Sequence, residues 1–384
     1  MNTRMRELVK KPVTSIFLAI LIGFAVGAIV LLVAGYNPLE AYGALFKGVF
    51  SKPKYIAQVI IKSTPIILTG ISFVVAFKSG LFNIGGEGQY IMGALTAVIV
   101  GSKLDLPPGL HFVVVILMAM VMAGLLGAFV GLLKTKFGVH EVISCVMLNW
   151  IMLYLSNFLI TTPWLKKPGT EASIEASTSA WSVMLNSWKT SDAGMAQLTQ
   201  SNSPMAEVLL KTDFNYGIIV AVIIAIGVYF LYKNTKKGYE LRAVGINPYA
   251  SRLAGIGVNK NIVLSMAISA AIAGLAGALM ITGVMPHRVT QLATLEGYGF
   301  AGISVALIGA CSPVGSVFSG LFYSMLTYGS ASIQSEIGAA SEIMDIVIGV
   351  IIYTIAISSV FIMLANRKKK VKKDAGKGKA RKDG

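Results

Sequence analysis

Cysteine is nearly absent from this sequence: Cys145 and Cys311 are the only two in 384 residues. Neither belongs to a CxxC pair, so no disulfide framework and no metal site is expected. Histidine is as sparse. His111, His140 and His287 stand far apart without ligand spacing. With no serine, cysteine or histidine constellation placed for covalent or acid–base work, no catalytic residue is assigned. A GxxxxGK[ST] phosphate loop is also missing; the nearest string, GKGKARKDG in the tail, lacks both the spacing and the Ser or Thr. The chain is therefore expected to be no enzyme and to use no cofactor. Charge is scarce too: 13% of residues are charged and 55% hydrophobic, with a mean hydropathy of +0.73. Such a balance excludes a soluble domain of this size and makes lipid the solvent.

Long apolar runs are what the sequence has in plenty. A bilayer core about 30 Å thick needs roughly 20 mostly apolar residues per helical crossing, and no water is present there to satisfy open backbone. The expected fold is all-α and polytopic, with about ten transmembrane helices at 13–34, 56–78, 89–103, 110–133, 140–162, 214–233, 262–283, 298–311, 313–334 and 343–365. The first run exceeds the apolar core of a cleaved signal, about 7 to 15 residues, and is read as an uncleaved crossing. An even count puts both termini on one side. Arg4, Arg6, Lys10 and Lys11, then Lys78, Lys134, Lys136 and the Lys233–Lys260 segment share that side, against Lys47, Lys52, Lys54, Lys103 and Arg288 in the short loops opposite. Both termini are thus expected to be cytoplasmic, and the stretch around Lys47 to Lys54 to be an amphipathic segment on the outer surface.

Residues 1–365 form the expected transmembrane domain. Within it, 163–213 is a long polar extracellular loop, either a disordered insert or a small cap, with Trp164, Trp181 and Trp188 suited to the interface. Residues 366–384 carry ten basic and two acidic residues. That block is expected to be a disordered cytoplasmic tail drawn to anionic membrane lipids. No aromatic residue interleaves its lysines, so no nucleic-acid partner is expected.

Three stretches are more specific. Ser79–Gly93, SGLFNIGGEGQYIMG, holds five glycines beside Asn83, Glu87 and Gln89 just where a second helix should settle. Glycine costs about 1 kcal/mol in a helix interior, and broken helix at membrane depth is tolerated where it lines a cavity or is covered by protein. Polar groups there point to a pathway, whereas glycines alone would only let helices pack closely. Glu296–Gly302, EGYGFAG, echoes Glu87–Gly93, EGQYIMG, each after a long crossing, and the two crossings run in opposite directions. That is the pattern of an inverted repeat with broken helices, and it adds Glu296 and Tyr298 to the pathway candidates. The third stretch lies in the cytoplasmic loop 234–261. There Asn247 and Pro248 read as N-cap and first position of a short helix that Gly255 to Gly257 stop, with Ala250, Leu253 and Ala254 on one face. Such a helix suits docking on a soluble partner or resting on lipid headgroups.

GYELRAVGINPYASRLAGI resembles the cytoplasmic coupling loop of the permease family shared by branched-chain amino acid, ribose and nucleoside ABC importers. GLFNIGGEGQYIMGA resembles the signature of its nucleoside and simple-sugar branch. The resemblance spans about residues 10 to 365. It implies a bacterial plasma-membrane permease that works with a cytoplasmic ABC ATPase, a second permease of related but different sequence, and an extracellular substrate-binding lipoprotein. ATP would be used by the partner ATPase. The coupling-loop match implies that Glu240, Arg242, Gly245, Asn247, Ala250, Ala254 and Gly255 lie at the ATPase contact. The other motif implies that Phe82, Asn83, Glu87 and Gln89 lie at the substrate pathway. Two readings compete: a permease for simple sugars or another small polar solute, and an ion-coupled secondary transporter using Glu87 and Asp345.

Overall fold

A helix lies in each of the ten apolar runs in the computed structural model, which describes residues 12–201 and 203–357; residues 358–365 of the last expected crossing lie outside the described residues. The tail 366–384 and the basic cluster ahead of the first run lie outside the described residues. In chain order, α1 is Pro12–Val33, α2 Pro38–Phe50, α3 Pro53–Lys78, α4 Gly86–Lys103, α5 Leu110–Phe137 and α6 Glu141–Thr161. The short α7 Asn186–Lys189, α8 Asp192–Gln200 and α9 Pro204–Lys211 follow. Then come α10 Gly217–Asn234, α11 Lys236–Ile246, α12 Pro248–Leu253, α13 Val258–Gly283, α14 Tyr298–Ile308, α15 Pro313–Ile337 and α16 Ser341–Ala356. The described residues contain isolated bridges but no strand, so the chain is an all-α polytopic membrane protein.

Five helices, α3, α5, α6, α10 and α13, are singly long and apolar enough to cross a membrane. Two further segments qualify as bent pairs, α1 with α2 at 118° and α14 with α15 at 117°. The 11 residues of α14 rise only about 16 Å, half a bilayer core, so this helix is one limb of a broken element.

Two compact units are present. In Val49–Tyr328 the inner helices are α3 and α13, with 89% and 67% of their apolar windows buried, against 28% to 39% for α5, α6 and α10. The outer helices expose Leu117, Val121, Leu125, Ile223, Ile226 and Phe230, which lipid can cover. Small residues bring an outer helix close onto an inner one: a Cβ at Gly127 of α5 would run into the Met266 carbonyl of α13. In the unit of Met1–Gly48 and Gly329–Gly384, α1 packs on α16, where Gly23 lets the Ile351 backbone approach. The Tyr42 hydroxyl donates to the Phe24 carbonyl at 2.7 Å, and Lys47 pairs with Glu336 at 2.8 Å. The expected amphipathic segment near Lys47 is thus partly helix α2, which ends at Phe50.

Residues 162–216 form a folded cap, the second of the two expectations for this loop. Backbone bonds tie it to its neighbours, from Ser173 N to Val289 O, Ala176 N to His287 O, Ser177 N to Gly101 O and Ser182 N to Thr282 O, at 2.8 to 2.9 Å. Trp181 stacks on the His287 ring at 3.8 Å and donates Nε1–H to the Ala176 carbonyl, so it is part of the cap's interior contacts. Trp164 and Trp188 are exposed, as interfacial residues would be.

Candidate functional site

The first break begins where α3 ends at Lys78. Gly80 takes φ +73°, a left-handed conformation that glycine adopts without strain, and residues 81–85 are non-helical before α4 starts. Asn83 organises this segment. Its Oδ1 accepts from Gly85 N at 2.9 Å and from Gln89 Nε2 at 3.1 Å, while its Nδ2 donates to Gln89 Oε1 at 2.9 Å and to Ser269 Oγ at 2.7 Å. Asn83 and Gln89 are therefore a closed amide pair, each 2% exposed, whose polar atoms are spent on holding the break in shape. Asn149 of α6, which the sequence reading passed over, does the same from the other side. It accepts from Gly88 N at 2.8 Å and donates to the Ile84 carbonyl at 3.0 Å. An asparagine in mid-crossing was the available signal. Phe82 is partly exposed, and its ring meets Phe73 edge-on at 4.9 Å.

The second break is residues 284–297, ending at Gly297 with φ +88° before α14. Here the two Glu-Gly motifs meet. Glu87, wholly buried, accepts with Oε1 from Gly299 N at 2.8 Å and from Phe300 N at 3.2 Å. A carboxylate from the first motif thus caps the positive N-terminal end of the helix opened by the second. Its Oε2 is buried without a partner. Gly86 and Gly299 let the backbones touch; a Cβ on Gly86 would lie 3.2 Å from Gly299 Cα. The seventh-place glycines cross over as well. Gly93 packs on Gly274 of α13, and Gly302 packs on Gly70 of α3, so each motif leans on the long helix that precedes the other. Between those helices, Ser72 Oγ donates to Ser269 O at 2.6 Å and Ser269 Oγ to Ser72 O at 2.7 Å.

Tyr298 lies 5.1 Å from Tyr90, ring to ring, and its carbonyl accepts from Thr69 Oγ1 at 2.8 Å. Glu296 and Tyr90 line a cavity of about 200 Å³ together with Arg288, Thr290, Met280 and Met285. Of the six pathway candidates, the structure brings Glu87, Glu296 and Tyr298 to one junction and places Asn83 and Gln89 in its supporting scaffold.

The 234–261 loop contains two helices where the sequence suggested one. Thr235 caps α11, accepting from Gly238 N at 3.0 Å, and Leu241 and Val244 bury its inner side. Asn247 caps α12 as expected, accepting from Tyr249 N and Ala250 N at 3.0 Å, with Pro248 at its first position and Gly255 at φ +77° beyond. Lys237 donates to Glu240 at 3.0 Å and holds that carboxyl below its ordinary 4.5; Asn261 at the start of α13 assists at 3.4 Å. Arg242, Asn247, Ala250, Ala254 and Gly255 are exposed. Gly245 faces inward: a Cβ there would run into the Lys78 carbonyl and Gly80 N, at the start of the first break. The large apolar side chains most open are Ile246, Tyr249 and Leu253, at 86%, 81% and 92% exposure. Of these, only Leu253 lies on the face expected from sequence; a large apolar residue beside a buried serine, Ser251, betrays an outward face only once the helix is placed.

A polytopic helical protein with two discontinuous segments that meet at one junction, and a helical loop presenting apolar side chains, has the features of a membrane transport protein. The chain belongs to the family described as the permease component of the branched-chain amino acid transport system, whose sequence pattern matches residues 55–356. It is 38% identical over 344 residues to the guanosine ABC transporter permease protein NupP of Bacillus subtilis, covering 89% of this chain and 92% of that one. It is 33% identical over 356 residues to the nucleoside ABC transporter permease protein NupB of Lactococcus lactis, covering 92% and 93%. The glucose ABC transporter permease protein TsgB13 of Haloferax volcanii is 28% identical over 345 residues, covering 90% and 87%. No solved structure matches.

Proposed function

We propose that this chain is the pathway-forming subunit of a bacterial plasma-membrane ABC importer for nucleosides, with both termini cytoplasmic. The carrying observation is the junction of the two Glu-Gly segments, where Glu87 holds the start of α14. Broken helices are where a buried pathway can open by small shifts, because their backbone groups already depend on side chains for partners. Nucleosides are favoured over sugars by the higher identity to nucleoside permeases than to the glucose permease and by the tyrosine pair beside the cavity.

A separate ATPase supplies the energy. It docks on α12 and the end of α11, where exposed Ile246, Tyr249 and Leu253 would each bury apolar area worth about 1.5–3 kcal/mol if fully covered. A second permease, a related but different chain, completes the pathway, and a lipoprotein delivers substrate at the cap. Motion of α12 reaches the pathway through α11, because Gly245 rests on Gly80 at the edge of the first break. A cysteine at Ala250, in a chain with Cys145 and Cys311 replaced, is expected to cross-link to the ATPase in the assembled, transporting complex. Failure to cross-link in an active complex would remove α12 from the contact.

A further inference from the structure

We infer that the cavity beside the second break reads the base of the transported nucleoside, and that Glu296 selects a guanine-type edge. This rests on the nucleoside reading and adds to it the base and the residue that chooses it. The cavity, about 200 Å³, is smaller than the roughly 300–1,000 Å³ of sites for drug-sized ligands and suits one heterocycle with part of a ribose. Tyr90 offers an aromatic face and Met280 and Met285 offer thioether chains. Any base can lie against such surfaces, so they hold a base without choosing it.

Polar groups make the choice. The Glu296 carboxylate faces the cavity, and no hydrogen bond or ion pair engages it among the described residues. Burial, with Glu87 nearby, pushes the Glu296 carboxyl up to about 7, and in its ionised form, which two facing donors stabilise, it offers two acceptors side by side and no donor. Guanine presents two adjacent donors to it, the ring N1–H and the exocyclic amino group. Adenine places an acceptor, its N1, in the corresponding position, and two acceptors facing each other repel. Arg288 complements this. Its Nη1 lies 3.5 Å from Glu175, while its Nε is buried without a partner. The Arg288 side chain lines the same cavity, and an exposed guanidinium N–H there can donate to the carbonyl at C6 of guanine.

The test uses the complete transporter in liposomes, with ATPase, second permease and binding protein. Each nucleoside is supplied far above the binding protein's Kd, so that rate reports the permease. The wild type is expected to carry guanosine faster than adenosine and to lose 1-methylguanosine, whose N1 donor is blocked. Glu296→Gln should lower the guanosine rate about tenfold, the effect of one lost bidentate contact, and leave adenosine within about twofold. Glu296→Asp should keep guanosine ahead. Equal effects of Glu296→Gln on both nucleosides, or no effect on either, overturn the selection by Glu296 while nucleoside transport stands. Transport of 1-methylguanosine at the guanosine rate overturns it without recourse to a variant. A wild type that carries no nucleoside overturns the underlying reading instead.

Discussion

Glu87 is the side chain on which both motifs converge, and its two oxygens have different fates. Oε1 takes two backbone N–H groups at the head of α14, and Oε2 has no partner. Hydrogen bonds to charged groups contribute about 1.5–3 kcal/mol each, so Glu87→Ala is expected to cost about 3 kcal/mol and lower the unfolding temperature in detergent. Glu87→Gln, which keeps an acceptor, should cost clearly less; equal losses would show that the cap contributes nothing. His287 makes a pH prediction. Burial holds its ring below the ordinary 6.5, with Glu175 and Asp213 opposing that shift and Lys189 reinforcing it. A depressed folded value means the stability is present above pH 6.5 and lost as the pH falls below it. Acid should therefore loosen the cap and separate Trp181 from the ring it stacks on, seen as a tryptophan fluorescence change that Trp181→Phe removes. The sequence made Asn83, Glu87 and Gln89 conspicuous because polar groups are rare in apolar runs. Which of them meet solute was not legible, because the deciding partners, Ser269 and Gly299, lie some 200 positions away.

Among the elements, α12 was readable because its cap, first proline and stop are local signals within nine residues, Asn247 to Gly255. Helix α11 was hidden, because its apolar positions are interrupted by glycines that a propensity argument counts against it. Those glycines are explained by neighbours: Gly238 lies on the Leu231 carbonyl and Gly245 on the Lys78–Gly80 backbone. Gly245→Val must push this contact apart. It is expected to reduce uptake at least tenfold while ATPase assembly persists, measured by co-purification and transport in the same membranes. Unchanged uptake would disconnect the loop from the first break. The short run 298–311 was legible as a discontinuous helix, but its 117° bend into α15 was not, because hydropathy records composition and carries no direction.

For the molecule as a whole, a weak echo of seven residues corresponded to a physical junction. Three identities between EGQYIMG and EGYGFAG were little to argue from, yet Glu87, Gly88, Gly93 and Gly302 lie at close contacts, Glu296 lines the cavity and Gly297 makes the left-handed turn into α14. Glu and Gly could be read as a pattern; the exchange of partners between halves needed coordinates. The paired serines carry that exchange to the long helices. Each of Ser72 and Ser269 gives its hydroxyl hydrogen to the other's carbonyl, so α3 and α13 are pinned together partway along their lengths. Helices fastened in that way cannot part like doors. They can only tilt about the fastening, as scissor blades do about a rivet, and the ends on one side must close as those on the other open.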